Sequence, residues 1–155
     1  MSSLEPLAAL GLVCNILQLV EAAGKTVSTC KSIFHTGAPD PALSQSTAHL
    51  TTSFDQLKQS LTAAPGPKDQ DEAALLEAAK NCSTAALSLK TEIAKVSDEA
   101  SKGKYSSAIS GALKVLVRKG KIEKLEKSLA AHQKALETHG CQQPLFSREA
   151  SYERL

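Results

Sequence analysis

Between Asp69 and Lys102 an apolar or small side chain returns every third or fourth residue: Leu75, Ala79, Cys82, Ala86, Leu89, Ile93, Val96 and Ala100. That alternation draws one stripe down an α-helix, whereas a strand repeats every second residue. A striped helix cannot bury its apolar side alone, so this segment needs helical neighbours. Residues 41–63 carry the same rhythm in Leu43, Thr47, Leu50, Phe54, Leu57 and Leu61. Aromatic residues make up 3% of the chain and Trp is absent, which removes the residues that sandwiches and barrels pack with.

Turn signals set the limits of the segments. Gly37, Pro39 and Pro41 interrupt the chain in "HTGAPDP", Pro65, Gly66 and Pro67 in "AAPGPKD", Gly103 in "SKGKYSS", and Gly140 and Pro144 in "HGCQQP". Glycine just past a helix supplies the left-handed residue that closes it. Asp40 before Pro41 reads as a cap followed by a first helical residue, and Asp69 with Glu72 reads as a capping box. Four helices are predicted, at 6–36, 41–63, 70–102 and 106–139. With short connections they form an all-α, elongated, antiparallel four-helix bundle, up-down-up-down. Residues 4–139 make the bundle domain, and residues 140–155 a polar, flexible tail.

The first segment differs from the rest. "PLAALGLVCNILQLV" (6–20) has two apolar seams, Leu10–Val13–Leu17–Val20 and Leu12–Ile16–Leu19. Two seams predict a helix covered on most sides, and hence a central apolar N-terminal helix. Nothing basic precedes the segment, so it makes a poor signal peptide. Its uninterrupted apolar run is about 14 residues where a membrane span needs about 20. The fourth segment places Ile109, Leu113 and Leu116, then Ile122, Leu125, Leu129, His132 and Leu136 on its stripe. The step from 116 to 122 breaks phase near Gly120 and predicts a bend or a change of buried face.

Charge divides between the last two helices. Residues 101–137 hold nine Lys or Arg and three Glu, a local excess of +6, and residues 69–100 carry an excess of −4 within a chain of net +2. The two blocks are expected to attract across the bundle. The sharper alternative is that "KVLVRKGKIEKLEK" (114–127) presents Arg118, Lys119, Lys121 and Lys124 to an acidic partner or anionic lipid. Together with Leu10, Val13 and Leu17 these are the candidate membrane or partner contacts. Glu123 and Lys127, four apart, are expected to pair along the helix. No aromatic residues alternate with the cations, which disfavours nucleic acid.

Motifs for chemistry are lacking. The sequence holds no phosphate-binding G-x-x-x-x-G-K-[ST], no G-x-G-x-x-G and no H-E-x-x-H. His132 and His139 are seven apart, and could be joined by His35 and Cys141 only if all four met at one end of the bundle. Metal-binding helices place ligands three or four apart. No nucleophile, base and acid can be assembled from spacing. The expectations are no catalytic, cofactor or metal site and no small-molecule substrate. Cysteines 14, 30, 82 and 141 are scattered without a C-x-x-C, and the first three fall in helical patterns as small buried hydrophobes of a reducing compartment.

"LEPLAALGLVCNILQLVEAAGKTVSTCKSIFHTG" (4–37) resembles the opening helix of the fungal N-terminal domain of STAND (NACHT-type) NTPases, through Pro6, Leu7, Ala9, Leu10, Gly11, Asn15, Ile16 and Gln18. "SSAISGALKVLVRKGKIEKLEKSLAAHQKAL" (106–136) is similar to the last helix of that family, through Ala112–Lys114 and Lys121, Ile122, Leu125, Glu126, Lys127 and Leu129. The resemblance implies a helical bundle akin to the HeLo-like domains that stand before the nucleotide-binding module of fungal NOD-like receptors. It implies a signalling role in programmed cell death, with a homotypic or receptor partner, in the cytoplasm or peripherally at a membrane. A membrane-active first helix is the alternative, and an accessory role in secondary-metabolite clusters, azaphilone pigment clusters among them, is another. No NTPase follows Gly140 in this sequence, so a nucleotide-driven switch is expected to lie outside these residues.

If helix one is central, Leu17→Ala, like Leu125→Ala in helix four, should cost about 2–5 kcal/mol. Lys68→Ala, in a turn, should cost almost nothing. If the first helix inserts, leakage of anionic vesicles should be lost in Leu17→Glu while the variant stays folded.

Overall fold

The computed structural model describes residues 6–64, 66–67, 69–106 and 110–138. Four helices account for nearly all of them: α1 (Pro6–Thr36), α2 (Ala42–Ala63), α3 (Gln70–Ser101) and α4 (Ser110–Thr138). The sequence limits hold to within a residue, except at the start of α4. There helix was expected from 106 and begins at Ser110, with residues 107–109, including Ile109 of the expected stripe, outside the described set. His139, Cys141 and the tail 140–155 also lie outside it.

The predicted caps form. Asp69 Oδ1 accepts from the Glu72 amide at 2.8 Å, and Asp40 Oδ1 from the Ala42 amide at 2.9 Å. Gly37 ends α1 in the left-handed region (φ 76°), its amide donating to Ile33 O at 2.7 Å, and Gly103 (φ 70°) follows α3.

Side-chain bonds show the pairing direction. Asn15, early in α1, donates to Ser60 Oγ late in α2 at 2.5 Å. The buried Thr26 hydroxyl donates to Ala22 O at 2.7 Å and lies 3.2 Å from Ser46 O of α2. The two helices therefore run antiparallel, with Thr26 fixing their register. α1 and α3 each pack on every other helix, whereas α2 and α4 do not touch among the described residues. These two helices form the shared diagonal, so the apolar N-terminal helix is central, as predicted, and α3 equally so.

The α3 stripe is buried along its full length, and Leu43, Leu50, Phe54 and Leu57 of α2 face it. Phe54 lies between two ammonium groups, with Lys90 Nζ 4.8 Å and Lys58 Nζ 5.6 Å from the ring centre. In α1 the seam Leu12–Ile16–Leu19 continues through Ala23, Val27, Cys30 and Ile33 and forms the core. The other seam is only a flank. Val13 is 6% exposed, Leu10 and Val20 are half-buried, and Leu17 is 37% exposed. Cys14 is exposed too, contrary to the expectation that it packs as a hydrophobe. At 100° per residue, positions 14 and 17 stand on the side of α1 away from the Ile16 line, and three neighbours cannot cover a whole helix.

The fourth helix departs most from its sequence pattern. Its inward line is Gly111, Val115, Arg118, Ile122, Leu125, Leu129 and His132, an unbroken alternation of four and three. The expected stripe through Leu113 and Leu116 points outward. The break near Gly120 is thus no bend in the seam. It reflects one arginine in an inward place and two leucines in outward ones.

Ile16→Ala should lower stability by about 2–5 kcal/mol, whereas Leu17→Ala should stay under about 1, which replaces the core-sized loss expected from sequence. No atom stands within 4 Å of a Cβ built on Gly24, so Gly24→Ala should gain about 0.5–1 kcal/mol from helix propensity. A Cβ on Gly111 would stand 2.8 Å from Tyr105 O, so Gly111→Ala should lose about 1–3 kcal/mol. Urea unfolding of the four variants checks the order.

Candidate functional site

Where α4 begins, three helices converge on Tyr105. Gly111 presses on its backbone from one side, and a Cβ on Gly37 would come 3.3 Å from its carbonyl oxygen from another. The Tyr105 ring meets Phe34 of α1 edge to face, with ring centres 5.6 Å apart at 86°. Its hydroxyl donates to Glu99 Oε1 at 3.3 Å. A Cβ at Gly111 would stand 2.8 Å from the Tyr105 carbonyl oxygen, closer than a side chain allows, and Gly37 is required by its left-handed φ of 76°.

Glu99, buried in the last turns of α3, is the hub of an ion cluster. Arg118 Nε donates to Glu99 Oε1 at 2.5 Å and Arg118 Nη1 to Glu92 Oε2 at 2.7 Å, so one guanidinium spans two carboxylates two turns apart on one face of α3. Lys114 Nζ adds a contact to Glu99 Oε2 at 3.8 Å, and Lys95 Nζ one to Glu92 Oε1 at 3.5 Å. Burial by itself would raise the Glu99 carboxyl pKa. The Arg118 hydrogen bond and charge, the Tyr105 hydroxyl and Lys114 outweigh it and hold the group below its ordinary value. The hydrogen bond that Arg118 donates to Glu99 in turn raises Arg118, against a smaller opposing effect of burial. Burial, followed by the Glu99 charge and hydrogen bond, raises the Tyr105 hydroxyl. The three groups are therefore fixed as arginine cation, carboxylate and neutral phenol.

The expected attraction between the acidic third and basic fourth segments is made here by Lys114 and Arg118 of α4. The candidate set divides accordingly. Arg118 is turned inward, and Val13 is in the core, so neither is available as a surface contact. Lys119, Lys121 and Lys124 are exposed and make no ion pair among the described residues. Glu123 and Lys127 do not close into the expected pair. Leu10 and Leu17 belong to the flank of α1, the first half-buried and the second exposed.

What the sequence reading missed is the apolar outer face of α4. Leu113 is 62%, Leu116 71% and Val117 55% exposed. They stand roughly opposite Arg118 around the helix. The signal lay in Arg118 itself, since 111, 115, 118 and 122 complete the heptad once an arginine is allowed in it.

The remaining titratable residues gather no chemistry. Cys30 and Cys82 are free and buried, and burial pushes both thiols up to about 12, away from thiolate reactivity. His35 stands at the end of α1, beside the start of α4, whereas His132 lies roughly 30 Å further along α4, so the two cannot share an ion. An open polar groove between α1 and α2 is lined by Gln18, Glu21, Lys25, His49 and Gln56, with Glu21 and Lys25 paired at 3.3 Å. Comparison of the chain with known protein families, curated proteins and solved structures finds no match.

Arg118→Met should cost about 3–5 kcal/mol, because it leaves two mostly buried carboxylates without their shared cation. The Glu99 contribution to stability is full above the ordinary carboxyl value of 4.5 and is lost as pH falls below it, since its folded pKa is the lower one. Urea unfolding across the acid range should therefore show a steeper loss for the native chain than for Glu99→Gln.

Proposed function

We propose that this chain is a non-enzymatic protein-interaction module of a signalling pathway, working in the cytoplasm. The observation that carries the reading is the three-residue aliphatic face on α4, held outward by the Arg118 cluster. Isolated apolar residues are ordinary on a surface, but a contiguous group on one helix face marks a contact site. The resemblance of residues 4–37 and 106–136 to the fungal STAND-associated domain supports the same reading.

A second reading, insertion of the first helix into a membrane, draws on one observation. The stretch Leu10–Thr36 is long and apolar enough to cross a bilayer. Against it stands the cost of extraction. Leu12, Ile16, Leu19, Val27 and Ile33 are each buried at about 1.5–3 kcal/mol. Together that matches the whole stability of an ordinary domain, about 5–15 kcal/mol. Insertion would require the entire bundle to open.

The test places a photo-crosslinking amino acid at position 116 of the full chain, expressed at native level in its own cells. Discrete protein adducts are expected, and they should vanish when Leu113 and Val117 are both changed to Asp. Absence of protein adducts, or adducts to lipid alone, would overturn the reading.

A further inference from the structure

We infer that the outward face of α4 between Leu113 and Lys124 is a docking strip for one acidic amphipathic helix of a different protein. The inference rests on the interaction-module reading and adds the chemical class of the partner.

The strip has helical geometry. Leu113, Leu116, Val117 and Gly120 are spaced by three, one and three, which lines them up along two turns, roughly 10 Å of axis. Such a narrow line is what a second helix covers, in the i, i+3, i+4, i+7 pattern of helix recognition. Gly120 ends the line, and no atom lies within 4 Å of where its Cβ would stand. Bare backbone at that point lets another helix approach closely. The strip cannot turn inward to satisfy itself, because α4 is held by Arg118 on Glu92 and Glu99 and by Gly111 on Tyr105.

Charge decides which helix fits. Lys114 and Lys121 border one side of the line and Lys119 the other, Lys124 continues the line one turn past Gly120, and Glu123 is the one carboxylate within the strip. Lys114 is partly engaged with Glu99, whereas the other three ammonium groups face solvent without a partner among the described residues. A helix with Leu-type residues on one line and Asp or Glu on both borders complements the strip in shape and sign.

A second copy of this chain does not. Two α4 strips face to face would set lysine against lysine. Elsewhere on the bundle, the other exposed large apolar residues, Leu17 and Leu87, stand singly. Several carboxylates that could have served are already paired, Glu21 with Lys25 and Asp98 with Lys102. A bilayer fits less well than a helix. Interfacial helices sink a broad apolar face that commonly carries Trp or Phe, whereas this strip holds three aliphatic residues and no aromatic.

The test uses the full chain and a synthetic helical peptide of about three heptads, with Leu on one line and Glu on both borders. A second peptide has every Glu replaced by Lys, and vesicles of phosphatidylserine and phosphatidylcholine are run alongside. Binding is read by fluorescence anisotropy at low salt and at roughly 1 M salt, where exposed charge pairs are screened. The acidic peptide should bind, the basic one should not, and high salt should weaken binding about tenfold or more. Leu116→Ser and the pair Lys121→Glu with Lys124→Glu should each lower affinity about tenfold while the thermal midpoint stays at the native value. Should Leu116→Ser disturb the fold, Leu113→Ser gives the same reading from the other end of the strip. Equal binding of both peptides, binding of neither, salt-independent binding, a concentration-dependent dimer that excludes the peptide, or vesicle binding without peptide binding would each overturn the inference. Adducts at position 116 that persist in the Lys121→Glu, Lys124→Glu chain would defeat the acidic partner yet leave the interaction module standing. Absence of protein adducts in the native chain would defeat both.

Discussion

The structure depends on one guanidinium. Arg118 occupies an inward place on α4 where the pattern of the other helices calls for an aliphatic residue, and it is held there by Glu92 and Glu99 of α3. A charge in that position is tolerable only because both carboxylates come from the facing helix and because Tyr105 and Lys114 satisfy the rest of Glu99. Once Arg118 is fixed, the rotation of α4 about its own axis is fixed too. Ile122 and Leu129 then fall into the core, and Leu113, Leu116 and Val117 fall outside it. A rotation that buried the leucines would carry Arg118 to solvent and strand two carboxylates. The ion cluster thus stabilises one face of the helix and exposes another.

The same end of the molecule collects the tightest backbone packing. Gly37 closes α1, Gly111 opens the contact face of α4, and both lie against Tyr105. The aromatic ring fills the space between α1 and α3, and its hydroxyl ties it to the ion cluster. The end of α1, the end of α3 and the start of α4 are consequently one unit. At the opposite end Asn15 of α1 donates to Ser60 Oγ of α2. The outward strip lies beside the end gathered around Tyr105.

Much of the fold was legible from the sequence, and the reasons are local. The Asp69 cap, the Gly37 and Gly103 stops and the prolines of the first two turns act through their own few residues, so helix limits could be read directly. The α3 stripe was readable because every member is apolar or small. In α1 the presence of two seams was readable, but their ranking was not. Leu17 and Ile16 are chemically alike, and only the positions of three neighbours decide which is covered. The candidate lysines were identified as a basic block, and the structure separates them by partner. Lys114 and Arg118 face carboxylates, whereas Lys119, Lys121 and Lys124 face solvent.

By itself the sequence determined four helices, their order, most of their limits and the inner lines of α2 and α3, because helix periodicity and capping are properties of neighbouring residues. Only the tertiary structure decided which side of α4 faces in. That choice rests on two carboxylates 19 and 26 positions away in the chain and on the lack of a Cβ where Gly111 meets Tyr105. Hydrophobic pattern ranks an arginine as outward and a leucine as inward. Paired charge and close backbone packing, which exist only between assembled helices, reversed that ranking here.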